Sequence, residues 1–257
     1  MTRPCVLVFS GADPSGGAGI AADILAIHAQ GAHALPVITA LTVQDNDRVY
    51  EVQPVDEALV LRQARALTAK IHVAAVKIGI PGSAANARAI AQVIEELRAR
   101  PGGAGLPVVL DPVLASGHGD VLSRGDAVQA LAPLLPLVTL ITPNGPEAAA
   151  LTGAAEVQRQ AEALLAQGCG HVLVTGGHGG GDNVINRWYG PGLGQSWCQA
   201  RLPGEFHGSG CTLAAAIAGQ LAHGHPMPQA LAQAQSYCHR ALAQAFSIAP
   251  GQLIPQR

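Results

Sequence analysis

Short, nearly continuous runs of apolar residues alternate along this chain with longer segments rich in Ala and Leu. An apolar run bounded by polar residues is typical of a parallel strand that is covered on both faces of its sheet. Strands are therefore predicted at Cys5–Phe9, Leu35–Ala40, Ala75–Ile78, Val108–Leu110, Thr139–Thr142 and Val172–Thr175.

The intervening segments have helical patterns, and Gly31 and Gly168 follow two of them, where glycine commonly ends a helix. Helices are predicted at Ile20–Gln30, Asp56–Lys70, Ala84–Arg100, Arg124–Leu135, Glu156–Gln167, Ser209–Ala222 and Pro228–Phe246, and a hairpin at Val184–Tyr189 and Gln195–Leu202. This β/α order with right-handed crossovers predicts one three-layer α/β/α domain over residues 1–257, with a mostly parallel central sheet. Ligands of such folds bind beyond the carboxyl ends of the strands.

Composition narrows the possible functions. The 257 residues are 49% apolar and 12% charged, which is a globular composition, and the formal charge is −2 with Lys70 and Lys77 as the two lysines. Tracking of nucleic-acid phosphates is therefore not expected. The five cysteines form no CxxC pair, so neither a disulfide framework nor a zinc site is indicated. No apolar run approaches the roughly 18 residues of a membrane span, and we expect a cytoplasmic protein that does not enter membranes.

Two polar segments follow the first two predicted strands. Residues 10–19 read SGADPSGGAG and lead into a helix that carries Asp23. A Gly-rich turn of this kind exposes backbone N–H groups to a ligand, although it matches neither common nucleotide fingerprint. The alternative is a turn that needs glycine only for its conformation, with the Asp23 carboxylate interacting favourably with the helix dipole in the first turn. Gln44 offers an amide to a planar polar ring, or is simply solvated.

Oxygen-bearing side chains follow two later strands. Asp111 ends one strand, while Asn144 and Glu147 come directly after the next. Together they form the kind of set that holds hydrated Mg²⁺ beside phosphates. A capping box explains Asn144 and Glu147 equally well, because they stand three residues apart at a helix start.

The segment Gly208-Ser209-Gly210-Cys211 opens a predicted helix. Its two glycines leave the backbone bare at a helix N-terminus, which favours a dense negative charge such as a transferring phosphoryl group. Cys211 lies in the first turn, where the helix dipole is expected to lower the thiol pKa and favour a base or nucleophile. The alternative is a small buried Cys in a tight turn. His178, three residues after Thr175, is a nucleotide contact or a solvated loop residue.

These segments, in this order and over nearly the whole chain, resemble those of the hydroxymethylpyrimidine and phosphomethylpyrimidine kinases of thiamine biosynthesis, within the ribokinase-like superfamily. The resemblance rests on residues 11–20 with Asp23, and on TALTVQ at 39–44, TPNGPEA at 142–148 and HGSGCT at 207–212. It implies a single ribokinase-like domain that uses ATP and Mg²⁺. Such an enzyme phosphorylates 4-amino-5-hydroxymethyl-2-methylpyrimidine and then its monophosphate.

The resemblance also assigns roles by position. The pyrimidine contacts would be Gly11, Asp23, Gln44 and Val113; the nucleotide contacts would be Asn144, Thr175 and His178; the Mg²⁺ ligands would be Asp111 and Glu147. Gly208, Ser209, Gly210 and Cys211 would form the anion hole, with Cys211 as the base of the first step. The second step needs no base, because its acceptor is already anionic. We also expect a homodimer.

The chain departs from the common family pattern at two positions. Gly117 and Thr175 stand where many members have lysine. We expect His118, His178 or Arg187 to compensate, or Mg²⁺ and the backbone to neutralise the phosphates; the loops at 117–120 and 176–182 are the candidate lids. Two other functions remain open. One is a pyridoxal kinase, against which Gln44 argues. The other is a non-catalytic pyrimidine-binding protein, against which Asp111, Glu147 and Cys211 argue.

Overall fold

The computed structural model describes residues 2–115 and 126–257, and its strands there form one sheet with helices on both faces. The strands are β1 (Cys5–Ala12), β2 (His33–Gln44), β3 (Val49–Pro54), β4 (Val73–Ile78), β5 (Val108–Leu110), β6 (Leu140–Ile141), β7 (His171–Val174), β8 (Asn183–Gly190) and β9 (Leu193–Ala200). Their order across the sheet is β3-β2-β1-β4-β5-β6-β7-β8-β9. The strands from β2 to β7 in this order are parallel, while β3, β8 and β9 pair antiparallel to their neighbours. The predicted mostly parallel α/β fold is confirmed.

The helices divide between the two faces of the sheet. They are α1 (Gly19–Ala29), α2 (Glu57–Thr68), α3 (Ala84–Arg98), α4 (Ala127–Leu131), α5 (Gly145–Thr152), α6 (Val157–Ala166), α7 (Ser209–Ala222) and α8 (Met227–Ala243). Apolar side chains of α1, α7 and α8 share one buried cluster, and those of α2 to α6 share another. The three layers are therefore helix, sheet and helix.

Strand β1 contributes apolar side chains to the cores on both faces of the sheet. Val6 and Val8 belong to the cluster with α7, whereas Leu7 and Phe9 belong to the opposite cluster. Successive strand residues point to opposite faces, so a continuous apolar run is what a doubly covered strand requires. On α7 the buried stretch Ala214–Ala218 is almost entirely alanine, and these short side chains let the helix lie close to the sheet. The helix N-terminus is thereby held at the carboxyl ends of the strands.

The structure differs from the predicted elements at three places. Strand β3 was not predicted, because its edge position leaves Tyr50 and other side chains exposed and breaks the apolar pattern. Helix α5 was not predicted either, although its capping residues were recognised. The helix predicted at Arg124–Leu135 is observed as α4 alone, followed by a 3₁₀ turn at Leu135–Leu137; Pro133 and Pro136 interrupt it, and residues 124 and 125 lie outside the described residues.

None of the helices in the described parts of the chain combines the length and the apolar character that a membrane crossing requires.

Candidate active site

A cavity of about 640 Å³ lies along the carboxyl ends of the parallel strands. Its wall includes every ligand contact that the resemblance assigns except Asp23, namely Gly11, Gln44, Asp111, Val113, Asn144, Glu147, Thr175, His178, Gly208, Ser209, Gly210 and Cys211. Residues that are up to two hundred positions apart in the chain thus share one site.

The order of the strands gives this cavity two ends. Gln44 ends β2 and Gly11 lies in β1. Asn144 and Thr175 follow β6 and β7, which lie farther along the strand order in the other half of the sheet. Asp111 follows β5, between them. Five strand spacings separate β2 from β7, or roughly 24 Å. The cavity is long enough to hold a small ring at one end and a nucleotide at the other.

The β1–β2 end is shaped by a close approach of Ile80. A Cβ atom added at Gly11 would lie 2.6 Å from the Ile80 Cδ1 atom, so the Ile80 side chain would have to shift if this residue were not glycine. The pairing of β1 with β2 shifts register between Ser10 and Gly11, and the Thr42 hydroxyl donates to the Ala12 carbonyl over 2.8 Å. This end therefore combines an apolar wall with the amide of Gln44, which suits a planar ring with polar edges.

Asp23 does not lie on the cavity wall, contrary to the expectation that it contacts a substrate. Its side chain is fully buried and pairs with the equally buried Lys77, whose Nζ lies 2.8 Å from Asp23 Oδ1 and 2.9 Å from Oδ2. Burial raises the pKa of Asp23, and Lys77 opposes that shift. Burial also disfavours the Lys77 ammonium, but the nearby acidic groups, Asp23 foremost, outweigh it and raise the pKa of Lys77.

Asp111 and Glu147 form an acidic pair at the centre of the cavity. Burial raises the pKa of Asp111 to about 6, and burial together with repulsion from Asp111 raises the pKa of Glu147 to about 8. The Asp111 Oδ2 atom is buried and has no hydrogen-bond partner. Two mutually repelling carboxyl groups with an unsatisfied oxygen fit a hydrated divalent cation. No larger acidic, His or Cys cluster suited to a metal was found in residues 2–115 and 126–257, so phosphate and water would complete the coordination.

The capping box that competed with the metal hypothesis is present. The Asn144 Oδ1 atom accepts from the Glu147 backbone N–H over 2.9 Å, and the Glu147 Oε2 atom accepts from the Asn144 backbone N–H over 2.9 Å. These bonds use the single side-chain oxygen of Asn144 and the Oε2 atom of Glu147, while both residues still line the cavity. Capping and ligand binding are compatible here.

The N-terminus of α7 stands over the acidic pair. Gly208 is its N-cap with φ of 73°, a left-handed conformation that glycine adopts without strain. A Cβ atom added at Gly210 would lie 3.5 Å from Asp111 Oδ1, which shows how closely this loop approaches the carboxylate. The first backbone N–H groups of a helix have no partner within the helix, so this loop is able to bind an anion directly beside the acidic pair.

The pKa of Cys211 is shifted in the direction opposite to the predicted one. The thiol borders the cavity and is only partly exposed to it, and burial raises its pKa to about 12. Lys77 lowers this pKa, whereas Asp111 and Asp23 raise it. Desolvation, aided by the two carboxylates, dominates and favours the protonated thiol of Cys211 in the free protein.

The β7 end is organised by Arg201, which sequence reasoning missed. Its guanidinium donates to three carbonyl oxygens of one Gly-rich loop, those of Gly177, Gly179 and Gly181, over 2.7, 2.6 and 2.8 Å. Arg201 lines the cavity together with Thr175 and His178. A lone Arg in a strand-to-loop segment carries no signal of this role in the sequence, because all its partners are backbone atoms.

The side chains expected to replace the family lysines differ in whether they line the cavity. His178 lines the cavity, whereas Arg187 pairs with Val174 in the β7–β8 ladder and is not among the described residues that line it. Gly117, His118 and the candidate lid at 117–120 lie outside the described residues.

Phosphoryl transfer needs groups that bind anionic oxygens, groups that can hold a cation, and room for donor and acceptor. This cavity has a helix N-terminus, a buried acidic pair and space for two ligands at the strand ends. The fold and the site therefore define a small-molecule kinase of the ribokinase-like type. The sequence pattern of the phosphomethylpyrimidine kinase family matches residues 13–255, and the chain belongs to this family.

Two individual relatives bear the name of this family, and a pyridoxal kinase shares the fold. The chain is 39% identical over 259 aligned positions to a hydroxymethylpyrimidine/phosphomethylpyrimidine kinase of Rhizobium meliloti, covering 96% of this chain and 93% of that protein. A phosphomethylpyrimidine kinase structure from Clostridium difficile superposes with a TM-score of 0.79 at 30% identity, covering 93% of this chain and 99% of that one. A Bacillus subtilis pyridoxal kinase in complex with ADP superposes with a TM-score of 0.87 at 26% identity, covering 99% and 97%.

Proposed function

We propose that this enzyme transfers the γ-phosphoryl group of ATP to the hydroxymethyl group of 4-amino-5-hydroxymethyl-2-methylpyrimidine. It then phosphorylates the monophosphate to the diphosphate, a precursor of thiamine diphosphate. The observation that carries this proposal is the placement of Gln44, Cys211 and Thr175 along one cavity, from the β2 end to the β7 end. The family and the relatives named above support the same reaction.

The pyrimidine would bind at the β1–β2 end. Gln44 presents both an amide acceptor and amide donors, which match the edge of an aminopyrimidine. Gly11 brings the Ile80 side chain close, and Val113 adds a second apolar surface on the cavity wall. Asp23 would support this end from beneath through its pair with Lys77.

Nucleotide and cation would occupy the rest of the site. Thr175 and His178 line the β7 end, where Arg201 braces the neighbouring loop. Asp111 and Glu147 would hold Mg²⁺, which neutralises charge on the transferring phosphates when it is bound. The backbone N–H groups of residues 208–211 would receive the phosphoryl oxygens.

The two steps would differ in their need for Cys211. The first acceptor is a hydroxyl that must lose a proton, and Cys211 is the titratable side chain at the anion hole. Lys77 favours its thiolate, and relief of the opposing carboxylate charge near it would lower the thiol pKa further. The second acceptor is a phosphate that is already anionic, so no base is required.

A coupled ADP-release assay tests the proposal with hydroxymethylpyrimidine, its monophosphate and pyridoxal as separate acceptors. We expect turnover of both pyrimidines and a much lower kcat/KM for pyridoxal. Preferred turnover of pyridoxal would instead establish a pyridoxal kinase. Calorimetric binding of the pyrimidines without ADP release would establish a non-catalytic binding protein.

We also propose that the protein is a homodimer. Three large apolar side chains of the β2–β3 edge are exposed, Leu41, Val43 and Tyr50, and a second copy would cover them. Light scattering coupled to size-exclusion chromatography tests this; a monomer mass at micromolar concentration would contradict it.

A further inference from the structure

We propose that Asp13, His207 and Arg257 form a clasp that positions the phosphoacceptor against the anion hole. The clasp joins the first loop, residues 13–18, to the phosphate loop, residues 206–210. It rests on the proposed function and extends it, because it assigns a positioning role to one residue on the wall of the same site, His207, and to two that do not line it, Asp13 and Arg257.

Asp13 makes the first tie between the two loops. Within the first loop its carboxylate accepts from the Ser15 N–H over 2.8 Å, the Ser15 hydroxyl over 2.9 Å and the Ala18 N–H over 2.7 Å. The same carboxylate lies 2.8 Å from His207 Nε2 in the phosphate loop. Burial opposes ionisation of Asp13, but the bonds from His207 and Ser15 outweigh it and lower the pKa of Asp13. Asp13 is therefore ionised, and His207 Nε2 is the donor.

Arg257 makes a second tie across the same gap. Its Nη2 donates to the Gly17 carbonyl over 2.6 Å and lies 3.4 Å from the Gly208 carbonyl. Its Nε donates to the Thr212 hydroxyl over 2.8 Å, and that hydroxyl donates to the Gly208 carbonyl, also over 2.8 Å. One guanidinium thus binds the first loop, the N-cap of α7 and its first turn.

Two glycines allow the loops to meet at this distance. A Cβ atom at Gly17 would collide with the His207 ring, and a Cβ atom at Gly208 would collide with the Gly17 carbonyl oxygen. The contact is therefore close-packed as well as hydrogen-bonded. A displacement of either loop would therefore displace the other loop as well.

The clasp connects the two parts of the site that must be aligned for transfer. The first loop is flanked by Gly11 and Gly19, which line the cavity, and the phosphate loop leads into Gly210 and Cys211, which line it too. Asp13 and Arg257 are not among the described lining residues, so they act through the loops and not on the substrate. His207 does line the cavity, so the Arg257 variants and hydrogen exchange are needed to separate positioning from direct contact. Because a misplacement of reacting groups by about 1 Å costs on the order of 100-fold in rate, the clasp should control kcat.

The test uses His207→Leu, which removes the tie, and His207→Gln, which restores a donor near the Nε2 position. The matched control is His223→Leu, because the His223 Nε2 also links α7 to another segment, the Gln30 carbonyl at 2.9 Å, but at the far end of the helix. We expect His207→Leu to lower kcat of the first phosphorylation about 10- to 100-fold with little change in the KM for ATP. His207→Gln should recover most of the rate, and His223→Leu should retain it.

Arg257→Met and Arg257→Lys repeat the test at the second tie. Arg257→Met should lower kcat in the same way, and Arg257→Lys should lower it less, because a lysine ammonium still donates to some of these acceptors. Wild-type kcat in both His207→Leu and Arg257→Met would overturn the proposal. Equal losses in His207→Leu and His223→Leu would also overturn it, since they would indicate general destabilisation of α7.

Amide hydrogen exchange gives a result that does not depend on activity. In His207→Leu we expect faster exchange in residues 13–18 and in residues 206–212 together, whereas His223→Leu should affect the carboxyl end of α7. Unchanged exchange in the first loop of His207→Leu would refute the clasp. If the wild-type protein turns over neither pyrimidine, the proposed function fails while this measurement still decides on the clasp.

Discussion

The Lys77 ammonium lies between the two carboxylate oxygens of Asp23, 2.8 Å from Oδ1 and 2.9 Å from Oδ2, and both side chains are fully buried. One of the two lysines of this protein is thus committed to an internal ion pair and does not face the cavity. Its charge still favours the Cys211 thiolate and ionised Asp111. Neutralisation of the phosphates must therefore come from other groups.

We predict that Lys77→Met and Asp23→Asn each lower the free energy of unfolding by about 3–5 kcal/mol, because each leaves an uncompensated buried charge or donor. Chemical denaturation measures this. The double variant Lys77→Met/Asp23→Leu should be more stable than Lys77→Met alone, since both charges are then removed. The control is Arg65→Met, which breaks the exposed pair with Glu96 and should change stability little. Equal effects of Arg65→Met and Lys77→Met would contradict this account.

We predict that Cys211→Ala lowers kcat of the first phosphorylation by about 10²- to 10⁴-fold and spares much of the second, because only the first acceptor must lose a proton. Separate assays with the two pyrimidines measure the difference. Cys198→Ala, which alters an exposed cysteine of β9, should leave both rates unchanged. A matching loss in both steps would leave Cys211 with a structural role alone.

Stability should depend on pH through the acidic pair. The pKa of Glu147 rises from 4.5 to about 8 on folding, so the folded state holds its proton more tightly than the unfolded chain does. This contribution is fully present below pH 4.5 and is lost as the pH rises through about 8. In the absence of Mg²⁺, we expect the melting temperature of the wild-type protein to fall over that pH window. The melting temperature of Glu147→Gln should fall less. Mg²⁺ should restore more stability at pH 8 than at pH 5; the reverse order would argue against a cation at Asp111 and Glu147.

The Gly-rich loop after β7 should depend on Arg201. We predict that Arg201→Met raises the KM for ATP about tenfold, because three charge-assisted bonds to loop carbonyls are lost. The KM for the pyrimidine should change little, since that ring would bind at the opposite end of the cavity. Arg159→Met, at an exposed helix position, is the control. Initial-rate measurements with each substrate varied in turn distinguish the two ends, and a selective rise in the pyrimidine KM would count against the assignment of the β7 end.

Local patterns in the sequence were sufficient to predict those features that depend on residues close together in the chain. Apolar runs predicted the parallel strands of the sheet core, and the spacing of Asn144 and Glu147 predicted the capping box, because both bonds form within one helical turn. The Gly-rich segments were recognised as loops at strand ends, and the parallel topology explains why they meet at one edge.

Tertiary structure decided what depends on distant partners. Asp23 and Lys77 are 54 residues apart, Asp13 and His207 are 194 apart, and Gly17 and Arg257 are 240 apart, so no local pattern reveals that they touch. The Cys211 pKa is the clearest case. The helix position alone predicts a lowered value, but the completed fold removes water and places two carboxylates nearby, and burial then dominates. By itself the sequence determined most of the elements and which polar residues stand at the strand ends. The packing of distant segments set the charge on each group, because desolvation and Coulomb interactions depend on the whole surrounding fold.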